Sequence, residues 1–563
     1  NQKIAKVIKY NKNENTSRGK IMKKTIVLFI AFFIFISVFH IYYNADIIAK
    51  PPSFDWSRDV NLQSIKFNRT PLAGIDDDNN VVLVYPYENG EGKVGVNLYD
   101  EKLELIKDEV VDIEELNFNK ILKDEIFVYG SRIYWRDNLL NKVYIGRFCD
   151  EYKKIEIFSE IENVSRMNVY SDGEFDYLAY VDKDDIFIAK IKDGSVKTIE
   201  GPKNQLDIKD IKVFKDSQKI YLQFAKKDKS VGCKEIFVSE CDGENWSKPL
   251  MLNKINEVKI SIKDMSIFAD DVNVYSIITI QGDNKSSFTY IVDGYDKKTK
   301  KTFETLKLNN AMKYGVGDFS SIPAIINSTN EGIELITTAP TTIDIYSRNA
   351  SNVVKLLLDD SGIKKVKLLS KTKSWSNRPN YIKGNYEYVF WNESENGYNQ
   401  IKGATTEKTV FNRTTNKTRK VIAEAIGEEV PVLISFNFLL SFGGRFISIF
   451  PALMWLVYIF MYNEKMQKKQ DKMFLIGIAI FYVFQLVTIK DFYVPQAMAF
   501  MPNVLKISGA KFIYPTIFTA IGWLGANFYK KNANVKEGYK LYGTFLVVSY
   551  ILMNHLYSPY LFK

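Results

Sequence analysis

A strand-turn-strand pattern that recurs about every fifty residues constrains the fold of this chain more than any other feature. In its clearest copy, Lys219 to Asn253, apolar and polar residues alternate, the alternation breaks at Asp242-Gly243, and a third short strand follows Trp246. Such alternation, interrupted by turn residues, is typical of half-buried antiparallel strands. Copies of the pattern begin near Val81, Arg132, Tyr177, Lys219, Asn273, Gly332 and Glu387.

The spacing of these copies favours a closed ring of strands. Their starts lie 42 to 59 residues apart, and a propeller blade of four strands takes roughly 40 to 50 residues. A solenoid has comparable repeats, but here the strands form hairpins, and ring closure removes exposed strand edges. We predict an all-β propeller over residues 60–420 with about seven blades, six or eight also fitting the spacing. Residues 61–75 are expected to close the last blade.

One copy of the pattern resembles a known repeat. Glu235 to Asn256, EIFVSECDGENWSKPLMLNKIN, resembles the PD40 type of WD40-like repeat of TolB-like propellers, in which an [DE]-I-[YF]-V-S strand precedes an Asp-Gly turn and W-S-x-P. Tyr388 to Glu407 is similar to related blades, with Trp391 expected on the inner strand. The resemblance implies a propeller but no particular ligand, since propellers serve binding, scaffolding and catalysis alike.

Hydrophobic segments flank the predicted propeller. Residues 1–24 form a basic tail, and residues 25–43 form an apolar run that nearly spans the hydrocarbon core of a bilayer. No small-residue cleavage pattern follows this run, so we interpret it as a retained transmembrane anchor rather than a signal peptide. Residues 431–562 form a predicted bundle of about four spans of no recognised family, with a re-entrant or interfacial helix at 431–442. The basic tail and the basic loops at 463–472 and 530–540 are expected inside.

Charge and composition exclude several function classes. The net charge of +10 could indicate nucleic-acid binding, but the basic residues cluster beside the hydrophobic segments, so the lipid bilayer is the expected partner. The two histidines, His40 and His555, lie in or beside membrane segments, which excludes a His-based triad or metal site in the propeller. Cys233 and Cys241 on one strand would be about 26 Å apart, so free thiols are expected.

Acidic clusters and tryptophans are the remaining candidates in the propeller. Paired carboxylates could serve a glycosidase, an acidic loop could bind calcium, and tryptophans could line a carbohydrate-binding face. We expect instead turn residues, a polar loop and packing between blades, respectively. The acidic candidates are Asp182, Asp184, Asp185, Asp270, Asp271, Asp359, Asp360 and the loop Asp76–Asn80, and the tryptophans are Trp135, Trp246, Trp375 and Trp391.

Polar residues and glycines of the predicted bundle are candidates for transport or for helix packing. Asn437, Arg445 and Gln485 are the polar candidates. The glycines that permit close helix contacts are Gly443, Gly444, Gly522 and Gly525. No residue is assigned a catalytic, cofactor-binding or metal-binding role from the sequence.

These features together favour a bacterial envelope protein. We expect a multi-pass protein of the cytoplasmic membrane, with its N-terminus inside and an extracytoplasmic propeller. The propeller is expected to act as a binding, scaffold or sensory module for a protein, peptide or glycan ligand, rather than as an enzyme. An envelope polysaccharide hydrolase with paired carboxylates and a small transporter gated by the propeller are the alternatives.

Overall fold

A computed structural model describes most of the chain. It covers residues 27–563 except 28, 67–69, 89, 122–124, 193, 204, 206, 229–231, 244, 284–285, 330–331, 342–349, 360, 373, 396–397, 440–445, 463–466, 534–536 and 562–563. The described residues form two compact units. Lys50–Asn416 is one unit, and the residues up to Ala49 together with Lys417–Lys563 are the other.

Seven four-stranded antiparallel sheets make Lys50–Asn416 a seven-bladed propeller, as predicted. Strand β1 (Val60–Ile65) precedes blade 1. The strands of blades 1 to 4 are β2 (Leu72–Ile75), β3 (Val81–Pro86), β4 (Glu91–Tyr99), β5 (Leu105–Asn117); β6 (Ile126–Tyr129), β7 (Arg132–Asp137), β8 (Lys142–Cys149), β9 (Lys154–Ile161); β10 (Val164–Ser171), β11 (Asp176–Asp182), β12 (Asp185–Lys192), β13 (Ser195–Glu200); β14 (Ile208–Lys215), β15 (Ile220–Asp228), β16 (Cys233–Cys241) and β17 (Leu250–Asn256).

The remaining blades complete the ring. Their strands, with a short ribbon β22–β23 between blades 5 and 6, are β18 (Ile260–Ala269), β19 (Asn273–Gly282), β20 (Thr289–Asp296), β21 (Leu306–Leu308); β22 (Asn310–Ala311), β23 (Val316–Asp318); β24 (Ala324–Thr329), β25 (Gly332–Pro340), β26 (Ser351–Asp359), β27 (Gly362–Leu368); β28 (Ser376–Lys383), β29 (Glu387–Glu395) and β30 (Tyr398–Thr405).

Each predicted hairpin is the second and third strand of a blade. These strands are buried on both faces because a neighbouring blade covers each side, and all six residues of β3 are accordingly buried. The continuous apolar run VVLVY of β3 reflects this double cover. The first strand of each blade lies innermost, where β2 contacts both β6 and β28.

Blade 7 closes the ring with a strand from the beginning of the propeller. β1 pairs antiparallel with β30, so residues 60–65 are the closing strand expected within 61–75. Residues 72–75 are instead β2, the inner strand of blade 1. The expectation for Trp391 was wrong, because it lies on β29, the second strand of blade 7, and not on the innermost strand.

Helices make up the second unit, and a short helix α2 (Lys408–Thr415) follows the last blade. The helices of this unit are α1 (Phe29–Ala49), α3 (Arg419–Leu439), α4 (Phe446–Met461), α5 (Gln470–Thr488), α6 (Pro495–Phe500), α7 (Ala510–Ala533) and α8 (Gly538–Leu561). Helix α3 runs through Pro431 without interruption. The helix expected at 431–442 is therefore part of a longer helix, which the structure describes as far as Leu439.

Two helices in the described part of the chain are long and apolar enough to cross a membrane, judged by length and composition. They are Phe29–Ala49, near the N-terminus, and Gln470–Phe492, while Ile449–Met461 is a shorter apolar helix. The remaining predicted spans and their orientation stay predictions. The candidates Gly443, Gly444 and Arg445 lie outside the described residues, as does the side chain of Asn437.

Candidate functional site at the mouth of the central channel

The inner strands of blades 3, 4 and 5 carry matching residues. Strands β10, β14 and β18 each begin with an apolar residue, shift register by one residue, and then continue in regular pairing with the second strand. The shift aligns three six-residue segments, 165–170 (SRMNVY), 209–214 (KDIKVF) and 263–268 (KDMSIF). Since each inner strand is the first strand of its sheet, its free edge faces the channel.

The register shifts are β-bulges, which commonly lie beside functional sites. The extra residue is Ser165 in blade 3, Lys209 in blade 4 and Lys263 in blade 5. Blade 7 has a related bulge between Asn377 and Asn380, where Arg378 and Pro379 lie opposite the single residue Trp391. All four bulges lie near the turn that joins the second and third strands, hence at one mouth of the channel. We call Lys209, Lys263 and Arg378 the cationic mouth.

Arg378 is the most unusual member of the cationic mouth. Its backbone has φ of 52°, in the left-handed region that non-glycine residues seldom adopt. Its Nη1 atom is buried and has no hydrogen-bond partner among the described residues. Burial lowers the pKa of the guanidinium. Lys209 and Lys263, in contrast, are exposed to solvent.

Contacts between neighbouring inner strands hold the channel wall in place. The Lys212 ammonium lies 2.7 Å from the Asp264 carboxylate. Arg166 donates from Nε to the backbone carbonyl oxygen of Lys209, at 2.9 Å. The backbone N–H of Val213 donates to the Asn168 side-chain oxygen, at 3.0 Å. Each contact joins two adjacent blades, so the bulges of blades 3 to 5 are positioned relative to one another.

Aromatic side chains occupy the opposite end of the same three strands. The ring centroids of Tyr170 and Phe214 are 4.8 Å apart, and those of Phe214 and Phe268 are 4.5 Å apart. The three residues hold equivalent positions, so they form a ladder across blades 3, 4 and 5. The inner wall of these blades is therefore charged at the cationic mouth and aromatic at the other end.

The acidic candidates do not come together. Asp182, Asp184 and Asp185 lie at the β11–β12 turn of blade 3, Asp270 and Asp271 at the β18–β19 turn of blade 5, and Asp359 at the β26–β27 turn of blade 6, while Asp360 lies outside the described residues. These three turns are on different blades. The structure thus brings no two of the clusters into one carboxylate pair.

Two of the acidic candidates have a direct structural role in their turns. Asp270 Oδ1 accepts the backbone N–H groups of Val272 and Asn273 at 2.8 and 2.6 Å. Asp76 Oδ1 accepts those of Asp78 and Asn80 at 3.0 and 2.7 Å. Such side-chain-capped turns are a common use of aspartate. Within the described residues, no group of three His, Cys, Asp or Glu side chains could hold a metal ion.

The tryptophans divide into packed and exposed residues. Trp135 and Trp391 are fully buried. Trp246 packs against the core between blades 3 and 4, and its ring N–H donates to the Glu200 carbonyl oxygen at 2.8 Å. Trp375 is 53% exposed. Cys233 and Cys241 are the two ends of β16 and form no disulfide bond with each other, as predicted.

Sequence reasoning missed the cationic mouth, although a signal for it exists. Residues 164–172, 208–216 and 262–270 share the pattern [VI]-[SK]-[RD]-[MI]-x-[VI]-[YF]-x-Asp. This nine-residue repeat marks the inner strand and its bulge in three consecutive blades. Arg378 lies outside the repeat, and the sequence carries no comparable signal for it.

Comparison with solved structures finds matches that cover more than half of this chain. The β-propeller domain of the trilobed protease from Pyrococcus furiosus matches at 10% identity and a TM-score of 0.35, covering 59% of this chain and 97% of that chain. The periplasmic gluconolactonase PpgL of Pseudomonas aeruginosa matches at 10% identity and a TM-score of 0.33, covering 54% and 86%. The polysaccharide lyase Uly1 matches at 9% identity and a TM-score of 0.40, covering 60% and 89%.

These similarities carry no argument about activity. No family model and no curated protein matches the chain. The class that the chain's own sheets define is the seven-bladed β-propeller.

Proposed function

We propose that this protein is a membrane-anchored, extracytoplasmic β-propeller that binds a ligand at the bacterial cell surface, and that the ligand presents carboxylate or phosphate groups to the cationic mouth. The observation that carries the proposal is the buried Nη1 atom of Arg378, which has no partner among the described residues. A guanidinium matches the geometry of carboxylates and phosphates, which it binds through paired hydrogen bonds. A buried cation without a counter-ion is costly, so an acidic ligand gains affinity by relieving that cost.

The strain at Arg378 supports the same proposal. A non-glycine residue in the left-handed region costs of the order of 1 kcal/mol or more, and such strain clusters at ligand sites. In blades 4 and 5 the bulge presents a lysine at the equivalent place. Positive charge at three points of one channel mouth attracts acidic ligands over a range of about 10 Å at ordinary ionic strength.

The ends of the propeller chain lie at one edge of blade 7. In blade 7 the chain enters β1 and leaves β30 at the edge of the sheet that carries the β28–β29 turn. The bulges lie at the other edge, beside the turns that join second and third strands. The start of β1 and the end of β30 are therefore at the opposite edge of the sheets from the bulges.

Binding of acidic polymers by the full-length protein in lipid nanodiscs tests the proposal. Polyglutamate and polyphosphate are the probes, with neutral dextran as the negative control. We expect the double variant Lys209→Glu/Lys263→Glu and the single variant Arg378→Gln to lower the affinity by about tenfold or more, equivalent to about 1.4 kcal/mol. The loss is expected to shrink as salt rises.

A matched pair of lysines controls for total charge. Lys153 and Lys298 are exposed and lie at turns between third and fourth strands, away from the cationic mouth. The variant Lys153→Glu/Lys298→Glu changes the net charge by the same amount as the double mouth variant. Equal losses in the two double variants, or no binding of either acidic polymer to the wild type, would refute an acidic ligand at this mouth.

Membrane anchoring is the second part of the proposal. The apolar helices Phe29–Ala49 and Gln470–Phe492 support it, and the basic loops predict which side each connection occupies. Protease treatment of intact cells is expected to release peptides from residues 44–430 and from the outer loops. Release of peptides from residues 463–472 would contradict the proposed topology.

The alternatives from the sequence have no observation in their favour. A polysaccharide hydrolase needs two carboxylates facing each other, within about 10 Å, and the acidic candidates lie on separate blades. A transporter gated by the propeller needs a continuous polar path through the helices, and of its proposed members Gln485 is buried while Arg445 lies outside the described residues.

A further inference from the structure

The two histidines of the chain meet inside the helical unit. His40 on α1 is 1% exposed and His555 on α8 is fully buried. Their ring centroids are 6.1 Å apart and the rings are nearly perpendicular. With only two histidines in 563 residues, this meeting connects the first described helix to the last one.

The hydrogen bonds of His40 define the tautomer of its neutral ring. Nε2 lies 3.1 Å from the backbone carbonyl oxygen of His555, and a carbonyl oxygen only accepts, so Nε2 carries the hydrogen. Nδ1 lies 2.8 Å from the Tyr560 hydroxyl. In the neutral ring Nδ1 must therefore accept from that hydroxyl. In the neutral state, the contacts thus place the hydrogen of the His40 ring on Nε2.

His555 is positioned separately by α1. Its Nε2 lies 2.9 Å from the Ser37 hydroxyl oxygen, and that hydroxyl donates to the backbone carbonyl oxygen of Phe33, at 2.9 Å. The His555 ring stacks on the Phe33 ring with the centroids 3.7 Å apart. Ser37 and Phe33 therefore orient His555, whereas Tyr560 orients His40.

A buried carboxylate from a third helix acts on the same cluster. Glu429 on α3 is 1% exposed and interacts electrostatically with Tyr560. Beside it, Asn44 of α1 donates to the Glu428 carboxylate at 3.3 Å. At the end of α1, Lys417 pairs with Asp46 at 2.8 Å. His555 and Tyr560 are titratable groups that contact His40, and Tyr560 in turn interacts with Tyr43 and Glu429.

We propose that His40 is a proton-binding site of the helical unit, with Tyr560 as the group that reverses its hydrogen bond and Glu429 as the balancing charge. A proton from solvent binds to Nδ1, and the Tyr560 oxygen then accepts from Nδ1–H. The hydroxyl hydrogen of Tyr560 turns away from His40. The positive charge on the imidazole is stabilised by the negative charge of Glu429, because an opposite charge nearby favours the charged form.

Residues from three helices form this site. Protonation of His40 therefore changes the contacts that hold these helices together. The neutral form joins α1 to α8 through Tyr560, and the charged form adds an attraction toward α3 through Glu429. Ionisable groups buried among apolar helices are rare because they are costly, and where they occur they commonly serve function. The inference concerns contacts within the helical unit and is independent of the ligand proposed for the propeller.

Nitrogen NMR of the full-length protein tests the proposal directly. Histidine labelled with ¹⁵N, in a protein purified without a polyhistidine tag and held in nanodiscs, gives imidazole signals from only two residues. His555→Gln assigns them. We expect the wild-type His40 ring at pH 8 to carry its hydrogen on Nε2 and to become doubly protonated as the pH falls toward 4.

Two substitutions separate the proposed roles. Glu429→Gln is expected to weaken proton binding at His40 by about tenfold, a shift of about one pH unit in the titration midpoint. Tyr560→Phe is expected to change the Nδ1 chemical shift of neutral His40. Ser37→Ala is the matched control, because it contacts His555, so it should move the His555 signals and leave the His40 midpoint in place.

Several results would overturn the proposal. A wild-type His40 ring with its hydrogen on Nδ1 contradicts the assigned hydrogen bonds without needing any variant. A His40 ring that stays neutral down to pH 4 in folded protein, checked by size-exclusion chromatography and circular dichroism, excludes a proton-binding site. A midpoint that is the same in folded Glu429→Gln and in wild type excludes Glu429 as the balancing charge.

Discussion

The propeller and the helical unit place their polar groups in different ways. In the propeller, Asp216 accepts the backbone N–H groups of Gln218 and Lys219, two and three residues ahead of it. In the helical unit, the hydrogen bond between His40 and Tyr560 joins residues 520 positions apart. Local pairing lets short sequence patterns specify the propeller, whereas the polar cluster of the helices depends on how distant segments pack.

Within the propeller, blade 7 differs from the other blades because it depends on contacts between residues far apart in the sequence. Its fourth strand comes from the beginning of the domain, and the segment that leads into this strand packs Trp56 against Ile336, Val353 and Trp391. The closure of the ring thus depends on contacts between residues about 300 positions apart along the chain. Substitutions at such long-range contacts should therefore have larger effects than substitutions at local or exposed positions.

Trp56→Ala is expected to have the largest effect. Trp56 is fully buried between blades 6 and 7, and truncating a buried tryptophan costs about 3–5 kcal/mol. Trp375→Ala is the matched control, since Trp375 is 53% exposed and its loss should cost about 0.5 kcal/mol or less. Chemical unfolding of the propeller followed by circular dichroism measures both. Equal midpoints for the two variants would show that blade 7 closes without the Trp56 contact.

Lys402→Met tests the buried ion pairs of the same closure. The Lys402 ammonium lies 2.8 Å from Glu393 and 3.3 Å from Asp59. Removing it leaves two carboxylates without their cation, which costs about 3–5 kcal/mol. Arg147→Met is the control, because Arg147 and Glu156 form a half-exposed pair whose loss should cost about 1 kcal/mol or less.

The stabilisation by Lys402 has a defined dependence on pH. Burial alone lowers the pKa of the Lys402 ammonium, but Asp59 and Glu393 outweigh it, and the pKa is raised above its ordinary value. Because the pKa is raised on folding, the stabilisation is complete below the pKa of lysine in the unfolded chain, about 10.4. It is lost as the pH rises through the pKa of Lys402 in the folded protein. The difference between wild type and Lys402→Met should therefore persist at pH 9 and shrink in stronger alkali. A difference that shrinks on acidification to pH 6 would contradict this assignment.

Much of the propeller could be predicted because each hairpin carries its own signal. The starts at Val81 and Glu387 coincide with the first residues of β3 and β29. The third strand expected after Trp246 is β17. Alternation and turn residues act over fewer than twenty positions, so no knowledge of the rest of the chain was needed to find them.

The closure of the ring, the cationic mouth and the histidine cluster could be predicted less well. Trp56 lies in a short segment without alternation, so nothing local distinguishes it from a surface residue. The bulge at Arg378 depends on its pairing with β29, which the sequence around it does not specify. His40 and His555 were recognised as the only histidines, but their meeting depends on the packing of α1 against α8.

Gly522→Ala tests the packing between α7 and α8. A Cβ atom at Gly522 would overlap the Ser549 hydroxyl and lie 3.0 Å from the Phe545 carbonyl oxygen, so the substitution should cost about 1–3 kcal/mol. Gly525 on the same helix is the matched control, because a Cβ atom there meets nothing within 4 Å. Gly525→Ala should be neutral or stabilise by up to about 1 kcal/mol through helix propensity. Thermal stability in one detergent measures both, and equal losses would refute a close α7–α8 contact at Gly522.

Asp216→Asn is expected to have the smallest effect, because asparagine still accepts the two turn N–H groups. What the variant loses is the ion pair with Lys297, at 2.6 Å, which should cost about 1 kcal/mol or less. Burial alone raises the pKa of the Asp216 carboxyl, but Lys297 and the N–H groups of Lys219 and Gln218 outweigh it, and the pKa is lowered. The stabilisation is thus complete above the pKa of aspartate in the unfolded chain, about 3.9. It is lost as the pH falls through the pKa of Asp216 in the folded protein.

Asp271→Asn is the control for this comparison, since Asp271 is exposed at the equivalent turn of blade 5. The difference in unfolding midpoint between Asp216→Asn and wild type should be complete at pH 7 and smaller at pH 3, below the unfolded pKa of about 3.9, whereas Asp271→Asn should follow wild type at both. If Asp216→Asn differed from wild type by the same amount at both values, its effect would come from the turn rather than from the Lys297 pair. The Asp216–Lys297 ion pair between blades 4 and 5 would then contribute little to stability. Asp216 would stabilise the propeller through its own turn, as a local contact.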